Sequence, residues 1–331
     1  MADVFTTSTT GLGTNLVTTA YDKLIETNLR IVPKFREIAD KKVGSLTHNG
    51  STIRFQIHND IADTDVSTAE LTETVDTDAV AIPATTVLDV AKRELGRSVL
   101  TTNITNLMSL ENIDPWVANA VGFNMTKTLD KAIAEKLDAG ANIIRVAGGA
   151  VSNVYEGVGT VAGKTSITAT DFMKSTAIRQ AVTKMRAAGV VAKGGDMFVS
   201  YIHPEVSADL RTETGNNVWR TPHEYQKADS LFAGEIGAWE GVRFIETSNM
   251  TNTQSGSGTG GTQTRVFNTY VLGAQALAEA VWKEPGIEIG KMTDRFNRFS
   301  PVGWYGVLNW RLYRTPSLVR IETSASGRPT A

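Results

Sequence analysis

The most specific pattern in the chain lies in residues 225–249, which read Tyr-Gln-Lys-Ala-Asp-Ser-Leu-Phe-Ala-Gly-Glu-Ile-Gly-Ala-Trp-Glu-Gly-Val-Arg-Phe-Ile-Glu-Thr-Ser-Asn. Gly237 and Gly241 permit turns, because glycine reaches backbone conformations that other residues avoid. The Val-Arg-Phe-Ile run that follows Gly241 alternates between apolar and polar residues and predicts a strand over residues 240–247. The pattern therefore describes a turn and a strand, which indicate a fold and not an active centre.

A long helix is predicted upstream of this segment, over residues 114–139. Asp114 is a typical N-cap, Pro115 suits the first helical position, and Gly140 follows the expected end. The apolar residues recur every four positions, at Ile113, Val117, Val121, Met125, Leu129, Ile133 and Leu137. A spacing of four drifts by about 40° per step around a helix of 3.6 residues per turn. We therefore expect different faces of this helix to contact different elements along its length, as in a central spine.

The remaining elements alternate irregularly. Apolar residues at helical spacing in residues 16–42 are interrupted by Pro33, which predicts two short helices or a kinked one after a flexible arm. A helix capped by Thr170 or Asp171 is expected to end at Ala188. Strands are predicted at residues 51–59, 85–90, 94–102, 196–201 and 265–272, a short helix at 204–211, and a flexible surface loop at 251–264. This order indicates an α+β protein.

Composition and charge exclude several classes of protein. The 331 residues carry 33 Lys and Arg against 35 Asp and Glu, a net charge of −2, which argues against a sequence-specific nucleic-acid binder. Cysteine is absent, which excludes disulfide scaffolds, cysteine zinc sites and thiol nucleophiles. The N-terminal residues lack the pattern of a secretory signal, and no apolar run is long enough to span a membrane. We therefore expect no membrane partner.

The charge is segregated along the chain. Residues 55–91 contain eight acids and no Lys or Arg, whereas residues 1–54 carry a net +2 and residues 283–331 a net +4. The acids are Asp60, Asp63, Asp65, Glu70, Glu73, Asp76, Asp78 and Asp89. One interpretation is an acidic, solvated loop. The other is a protruding hairpin, whose legs of about 18 residues would extend up to ~60 Å.

Motifs for catalysis or cofactor binding fail on spacing or context. The run that ends in Gly163-Lys164-Thr165 lacks the four-residue spacing between glycines of a phosphate-binding loop. The Gly256 to Gly261 match to GxGxxG lacks the preceding strand and following helix. The four histidines show no metal-ligand spacing. We therefore predict no catalytic, cofactor-binding or metal-binding residues.

Within residues 225–249, Leu-x-x-Gly-Glu-Ile-Gly followed by Gly-Val-Arg-Phe-Ile-Glu-Thr resembles a segment of the major capsid proteins of tailed bacteriophages. The order of elements over nearly the whole chain resembles the same family, whose shell fold, the Johnson fold, is shared with herpesviruses. The resemblance implies an α+β phage capsid fold with five parts: an N-terminal arm with short helices (1–47), an extended E-loop hairpin (48–98), a peripheral domain with the spine helix (99–168), an axial domain (169–282), and a return to the peripheral domain (283–331).

This resemblance implies a non-enzymatic major capsid protein of the virion that is assembled in the host cytoplasm. Its copies would form hexamers and pentamers of an icosahedral shell around double-stranded DNA, which would lie close to the protein without specific contacts. No long coiled coil precedes the arm, so we expect a separate scaffolding protein. A portal and an external cement or decoration protein are further expected partners.

In such shells the E-loop lies across the neighbouring subunit, so an acidic hairpin requires a basic contact surface. On the acidic side the predicted inter-subunit contacts are Asp60, Asp63, Asp65, Glu70, Glu73, Asp76 and Asp78. On the basic side they are Lys41, Lys42, Lys92, Arg93, Arg97, Arg295, Arg298, Arg311, Arg314 and Arg320.

Three alternatives stay open at the level of the sequence. An encapsulin-like bacterial compartment would use the same fold to enclose enzymes, but the long N-terminal arm disfavours it. An α+β enzyme could build its site from dispersed residues that leave no motif. A tail or adhesin protein would be expected to contain many more repeats.

Overall fold

The computed structural model describes residues 33–43, 51–61, 70–71, 73–74, 76, 80–108, 113–147, 153–156, 164, 167–193, 197–213, 235–256, 264–290, 296 and 298–326. The strands are β1 (Asp40–Val43), β2 (Thr52–Ile57), β3 (Thr86–Ala91), β4 (Glu94–Thr102), β5 (Ile143–Ala147), β6 (Asn153–Glu156), β7 (Phe198–Ile202), β8 (Glu235–Trp239), β9 (Val242–Glu246), β10 (Asn252–Gly256), β11 (Thr264–Leu272), β12 (Leu277–Ile289), β13 (Phe299–Leu312) and β14 (Leu318–Thr323). The helices are α1 (Asn103–Met108), α2 (Ile113–Asp138), α3 (Ser175–Ala187) and α4 (Pro204–Thr212), with 3₁₀ turns at Phe35–Ile38 and Thr315–Ser317.

The first sheet has four strands in the order β1-β12-β13-β4. The long pair of β12 and β13 runs antiparallel from Leu277 opposite Leu312 to Ile289 opposite Val302. β4 pairs antiparallel with β13 over its whole length, and β1 adds to the other edge in parallel with β12. Both faces of this sheet are covered, one by α2 and the other by the hairpin of β2 and β3.

α2 confirms the predicted spine helix to within one residue at each end. Val117, Val121 and Leu129 are buried against apolar residues of the first sheet. Gly140 just after the helix lies against Leu318 of β14, so close that a side chain there would collide with Leu318. The helix thus contacts the first sheet and also the second, as its drifting apolar stripe predicts.

The second sheet has eight strands, ordered β6-β5-β14-β11-β7-β9-β8, with β10 paired to β11. The pairs of β5 with β14 and of β7 with β9 are parallel, and the others are antiparallel. α3 packs its apolar residues, including Ile178 and Met185, on this sheet. The predicted strand after Gly241 is β9, whose phenylalanine, Phe244, is fully buried.

The predicted hairpin exists, with β2 and β3 paired antiparallel over six residues each, from Thr52 opposite Ala91 to Ile57 opposite Thr86. These paired legs are much shorter than the extended legs that the charge pattern suggested. Residues 58–61 and 80–85 continue from them without described strand structure. No helix within the described ranges is long and apolar enough to cross a membrane.

Three sequence predictions need correction. Residues 33–43 form a 3₁₀ turn and β1, not a helix. Asp130 of α2 accepts hydrogen bonds from the amides of Lys34 and Phe35 and so fixes the turn. The residues that follow pair in parallel with the edge of β12. α3 begins at Ser175, since the carboxylate of Asp171 accepts from Thr168 and closes a separate turn first. The predicted surface loop at 251–264 contains β10, because polar residues rich in Thr can pair on the edge of β11. Residues 257–263 and the arm residues 1–32 lie outside the described residues.

Candidate assembly interface

The root of the hairpin is fixed to the first sheet by polar contacts. Arg54 of β2 donates from Nε and Nη2 to the carboxylate of Asp89 directly opposite on β3, at 2.8 and 3.0 Å. Arg311 of β13 donates to the main-chain oxygen of Asp89 at 2.9 Å, and Asn309 donates to that of Ala91 at 2.9 Å. The hydrogen bond from Arg54 holds the pKa of Asp89 below its ordinary value. One of the eight acids of the strip is therefore paired within its own chain.

Apolar packing under the hairpin complements these contacts. Phe55 and Val90 are almost fully buried and pack with Trp282 and Val307 on the face of the first sheet opposite to α2. The ring of Phe55 also meets that of Tyr313 edge-on, at 5.4 Å between centroids. Burial of side chains of this size is worth about 1.5–3 kcal/mol each, so the root is held to the body of the protein.

The described residues beyond the paired strands are all exposed. The side-chain amide of Asn59 donates to the oxygen of Ala84 and to Thr86, which closes the last described contact between the two legs. Farther out, four apolar side chains are exposed: Ile61, Leu71, Val80 and Ile82. Four predicted contact acids are exposed as well: Asp60, Glu70, Glu73 and Asp76. We refer to described residues 58–85 as the hairpin tip.

The described acids of the hairpin tip form no ion pair with the described basic residues of their own chain. Within the part of the chain that the structure describes, no Lys or Arg forms an ion pair with Asp60, Glu70, Glu73 or Asp76. The other predicted contact acids, Asp63, Asp65 and Asp78, lie outside the described residues. The hairpin tip thus exposes apolar and negatively charged groups together, which is a composition suited to contact with another molecule.

Three predicted basic residues lie together around the root of the hairpin. Lys42 places its ammonium over the ring of Phe55 at 4.8 Å from the centroid and donates to the oxygen of Arg54. Lys92 lies over the ring of Trp282 at 5.8 Å. The third is Arg311, whose contact with β3 is described above. We call Lys42, Lys92 and Arg311 the basic root, so that the hairpin has a positive base and a negative tip.

The other predicted basic residues are more dispersed. Lys41 on β1 forms an ion pair with Glu284 of β12, which Arg36 also contacts. Four are exposed elsewhere: Arg93, Arg97, Arg298 and Arg314. Arg295 lies outside the described residues. The structure therefore brings only part of the predicted basic surface together.

Arg320 belongs to a buried ionic cluster that sequence reasoning missed. Glu322 of β14 is fully buried and lies 2.7 Å from Nε of Arg145, 3.0 Å from Nη2 of Arg320 and 3.8 Å from Nζ of Lys164. Arg320 also donates to the main-chain oxygen of Asp138 at the end of α2. Its guanidinium is 8% exposed and cannot serve a contact on the surface of this chain. One sequence signal for this cluster is the spacing of Arg320 and Glu322, which are two residues apart in an apolar run and therefore lie on one face of a strand.

A second buried carboxylate ties the start of the described chain to α2. Asp130 accepts from the amides of Phe35 at 2.9 Å and Lys34 at 3.2 Å, and from the side chain of Asn249 at 3.0 Å. Tyr201 donates to the oxygen of Lys34 at 2.9 Å. Burial raises the pKa of Asp130, because these three donors only partly replace the lost hydration.

The described residues contain no cluster of His, Asp and Glu that could hold a metal ion. The nitrogen Nδ1 of His203 accepts from the amide of Glu205 and so caps α4. The buried polar groups thus stabilise the fold, and the exposed apolar and acidic groups of the hairpin tip are candidates for contact with another molecule.

The comparisons with known proteins concern the family and the fold of the whole chain. A family model described as phage capsid protein matches residues 41–306. No curated protein has a sequence that matches the chain. The fold is similar to that of solved capsid structures at low sequence identity.

Three of these structures match almost end to end. The capsid of Ralstonia phage GP4 is 13% identical, with a TM-score of 0.72 over 98% of this chain and 100% of the other. The capsid of cyanophage P-SCSP1u is 14% identical, with a TM-score of 0.69 over 97% and 98%. The acid-stable capsid of Helicobacter pylori bacteriophage KHP30 is 11% identical, with a TM-score of 0.68 over 98% and 100%.

Proposed function

The chain belongs to the phage capsid protein family, and we propose that its copies assemble as hexamers and pentamers into an icosahedral shell that encloses the double-stranded DNA of a tailed bacteriophage. It is a major capsid protein, a structural component of the virion that assembles with copies of itself. This membership favours neither the encapsulin alternative nor a dispersed enzyme site. The observation that carries the assembly proposal is the hairpin with its basic root and its exposed, acidic tip.

The hairpin tip of one copy docks on the basic root of the next. Such a contact is heterologous, because two different surfaces of the same chain meet, and repetition of it around an axis closes a ring. The root is rigid, since Phe55 and Val90 are buried on the first sheet. The exposed residues of the tip can adapt to neighbours in five-fold or six-fold environments.

In this contact the complementary charges align the two copies, but they contribute little to the free energy of binding. An exposed ion pair stabilises a contact by only ~0 to 1 kcal/mol, and salt screens it. The exposed apolar residues Ile61, Leu71, Val80 and Ile82 provide the area that is removed from water on docking. Complementary charge then favours the correct approach and accelerates association.

The domain boundaries stay part of the proposal. The boundary that we propose between the axial domain and the return to the peripheral domain, at residue 282, falls inside β12. Farther along the chain, β14 pairs with β5 and β11. Residues 318–323 therefore belong to the second sheet, together with the strands of the proposed axial domain. The peripheral domain is then centred on α2 and the first sheet. A separate scaffolding protein, a portal and an external cement protein are the further partners, and contact with packaged DNA is non-specific.

The decisive experiment is assembly of the purified protein at several salt concentrations, followed by light scattering and negative-stain microscopy. The variant Asp60→Asn/Asp63→Asn/Asp65→Asn removes three charges from the hairpin tip region. We expect it to assemble about tenfold more slowly at low salt and to approach the wild-type rate at high salt.

The control variant Glu37→Gln/Glu135→Gln/Glu240→Gln removes three exposed charges outside both the hairpin tip and the basic root. It should assemble like the wild type at each salt concentration. If the tip variant assembles normally at every ionic strength, the charge-guided contact is wrong. If the wild-type protein forms no rings or shells under any condition, with or without a scaffolding protein, the assembly proposal itself is wrong.

A further inference from the structure

His203 connects β7 to α4 and caps that helix with a group that can titrate. Its ring is 9% exposed and lies on the ring of Phe267, at 4.7 Å between centroids and an angle of 34°. The nitrogen Nδ1 accepts from the amide of Glu205 at 3.2 Å, which is one of the first amides of α4 and has no partner within the helix. A ring nitrogen accepts only while it carries no proton. The cap therefore requires neutral His203, with its proton on Nε2.

The surroundings of the ring favour this neutral form. Burial lowers the pKa of His203 below its ordinary value and is the largest effect. Arg265 of β11 faces the ring and acts in the same direction. Glu205 and Glu246 also face it and act in the opposite direction, but Glu246 already accepts from the hydroxyl of Ser207 at 2.7 Å. The N-terminal end of α4 carries a partial positive charge, which further disfavours a cation at this position.

The helix that His203 caps holds two distant parts of the chain. Glu213, directly after the last turn of α4, accepts from the amide of Ser175 at 2.9 Å and so satisfies the first turn of α3. Asp209 accepts from the amide of Ser326 at 2.9 Å and from the hydroxyl of the same residue. Residues 204–213 thus join the start of α3 and the end of the described chain.

We propose that His203 is an acid-sensitive switch: protonation of its ring removes the cap, releases the first turn of α4 and loosens the contacts with Ser175 and Ser326. A protonated Nδ1 would point its N–H at the amide N–H of Glu205, so the two donors could not bind. After release the ring is hydrated and takes its ordinary pKa of about 6.5. The released form therefore binds a proton more readily than the packed form, and a fall in pH favours release. This inference concerns a single subunit and is independent of the assembly proposal.

The test is hydrogen exchange of the dilute, unassembled subunit between about pH 7.5 and 5.0, a range in which carboxylates of ordinary pKa stay ionised. After correction for the intrinsic exchange rate, protection of the amides of Glu205, Ser175 and Ser326 should fall by about fivefold at the lower pH, the typical effect of losing an N-cap acceptor. The variant His203→Asn keeps a cap acceptor that binds no proton, so its protection should not change with pH. The control His58→Asn removes an exposed histidine and should behave like the wild type.

Two results would overturn the switch: constant protection of the wild type over this range, or an equal loss of protection in the wild type and in His203→Asn. A second measurement needs no variant. The ring resonances of His203 in the wild type should titrate over the pH range in which protection is lost, and titration in a different range would contradict the proposal. Failure of shell assembly affects none of these results, since the measurements are made on single subunits.

Discussion

The buried cluster at Glu322 and the exposed pair of Arg54 and Asp89 use the same chemistry in opposite surroundings. Both join a carboxylate to a guanidinium at 2.7–2.8 Å, and both involve strands of the capsid fold. Glu322 is fully buried with Arg320, whereas Arg54 and Asp89 are 59% and 39% exposed. Equal distances therefore do not imply equal contributions to stability.

The difference follows from hydration. A buried carboxylate has lost its water, so removal of either partner leaves a charge that nothing solvates. At the hairpin root, water replaces any missing partner at little cost. The buried cluster therefore holds the second sheet to the end of α2, while the exposed pair orients the hairpin relative to the first sheet.

The variant Glu322→Gln should produce the largest effect of this comparison. It leaves Arg145, Arg320 and Lys164 without their common carboxylate, and we expect the free energy of unfolding to fall by about 3–5 kcal/mol. Urea unfolding of the unassembled subunit measures this change. The matched control is Glu240→Gln, since Glu240 contacts Arg179 at a similar distance of 2.7 Å but both side chains are partly exposed.

The control should lower the free energy of unfolding by less than about 1 kcal/mol. A joint replacement, Arg145→Met/Arg320→Met/Glu322→Leu, removes all three buried charges and should recover most of the loss. Equal losses for Glu322→Gln and Glu240→Gln would show that burial does not set the strength of these ion pairs in this protein.

Local patterns in the sequence were sufficient for elements that are decided by neighbours in the chain. β4 was predicted with its observed bounds, and the spine helix to within one residue, because alternation and helix-terminal residues are local signals. The pairing of Arg320 with Glu322 and Arg145 depends on β14 lying beside β5, which is about 175 residues away in sequence. The Arg-x-Glu spacing places Arg320 and Glu322 on one face of a strand, but it does not identify Arg145 as their partner. The charge pattern predicts an acidic hairpin. It does not predict that Asp89 is paired at the root, because this depends on Arg54 lying opposite Asp89 in the paired strands.

Asp130 is a further buried carboxyl group, but no ion pair of the described residues includes it, so its charge should affect stability differently from that of Glu322. Burial raises its pKa in the folded state, so the folded protein binds a proton more readily than the unfolded chain does. Stability therefore decreases as pH rises from the unfolded pKa of about 4 to the raised folded value. Thermal unfolding midpoints are measured for the wild type and for Asp130→Asn between about pH 3.5 and 6.5. As pH rises, the midpoint of the variant should increase relative to that of the wild type, because the variant has no carboxyl to ionise at this position.

Asn keeps an oxygen that can accept from the amides of Lys34 and Phe35, so this variant retains the contact with the start of the chain. A difference between the two proteins that does not change with pH would contradict a raised pKa at Asp130. A difference of the opposite sign would assign Asp130 a stabilising charge, as at Glu322.

The smallest effect on stability is expected at Asp89, although its effect on assembly should be measurable. Arg54 lowers the pKa of Asp89, so its contribution to stability is present above the unfolded pKa of about 4 and is lost as pH falls through the lower folded value. At neutral pH the variant Asp89→Asn should leave the urea midpoint of the unassembled subunit unchanged within error, because the pair is exposed. The freed Arg54 adds a positive charge at the root, which attracts the acidic tip of the next copy, so assembly at low salt should be faster than that of the wild type. Slower assembly together with an unchanged urea midpoint would mean that the pair acts by orienting the hairpin, and that charge at the root does not guide docking.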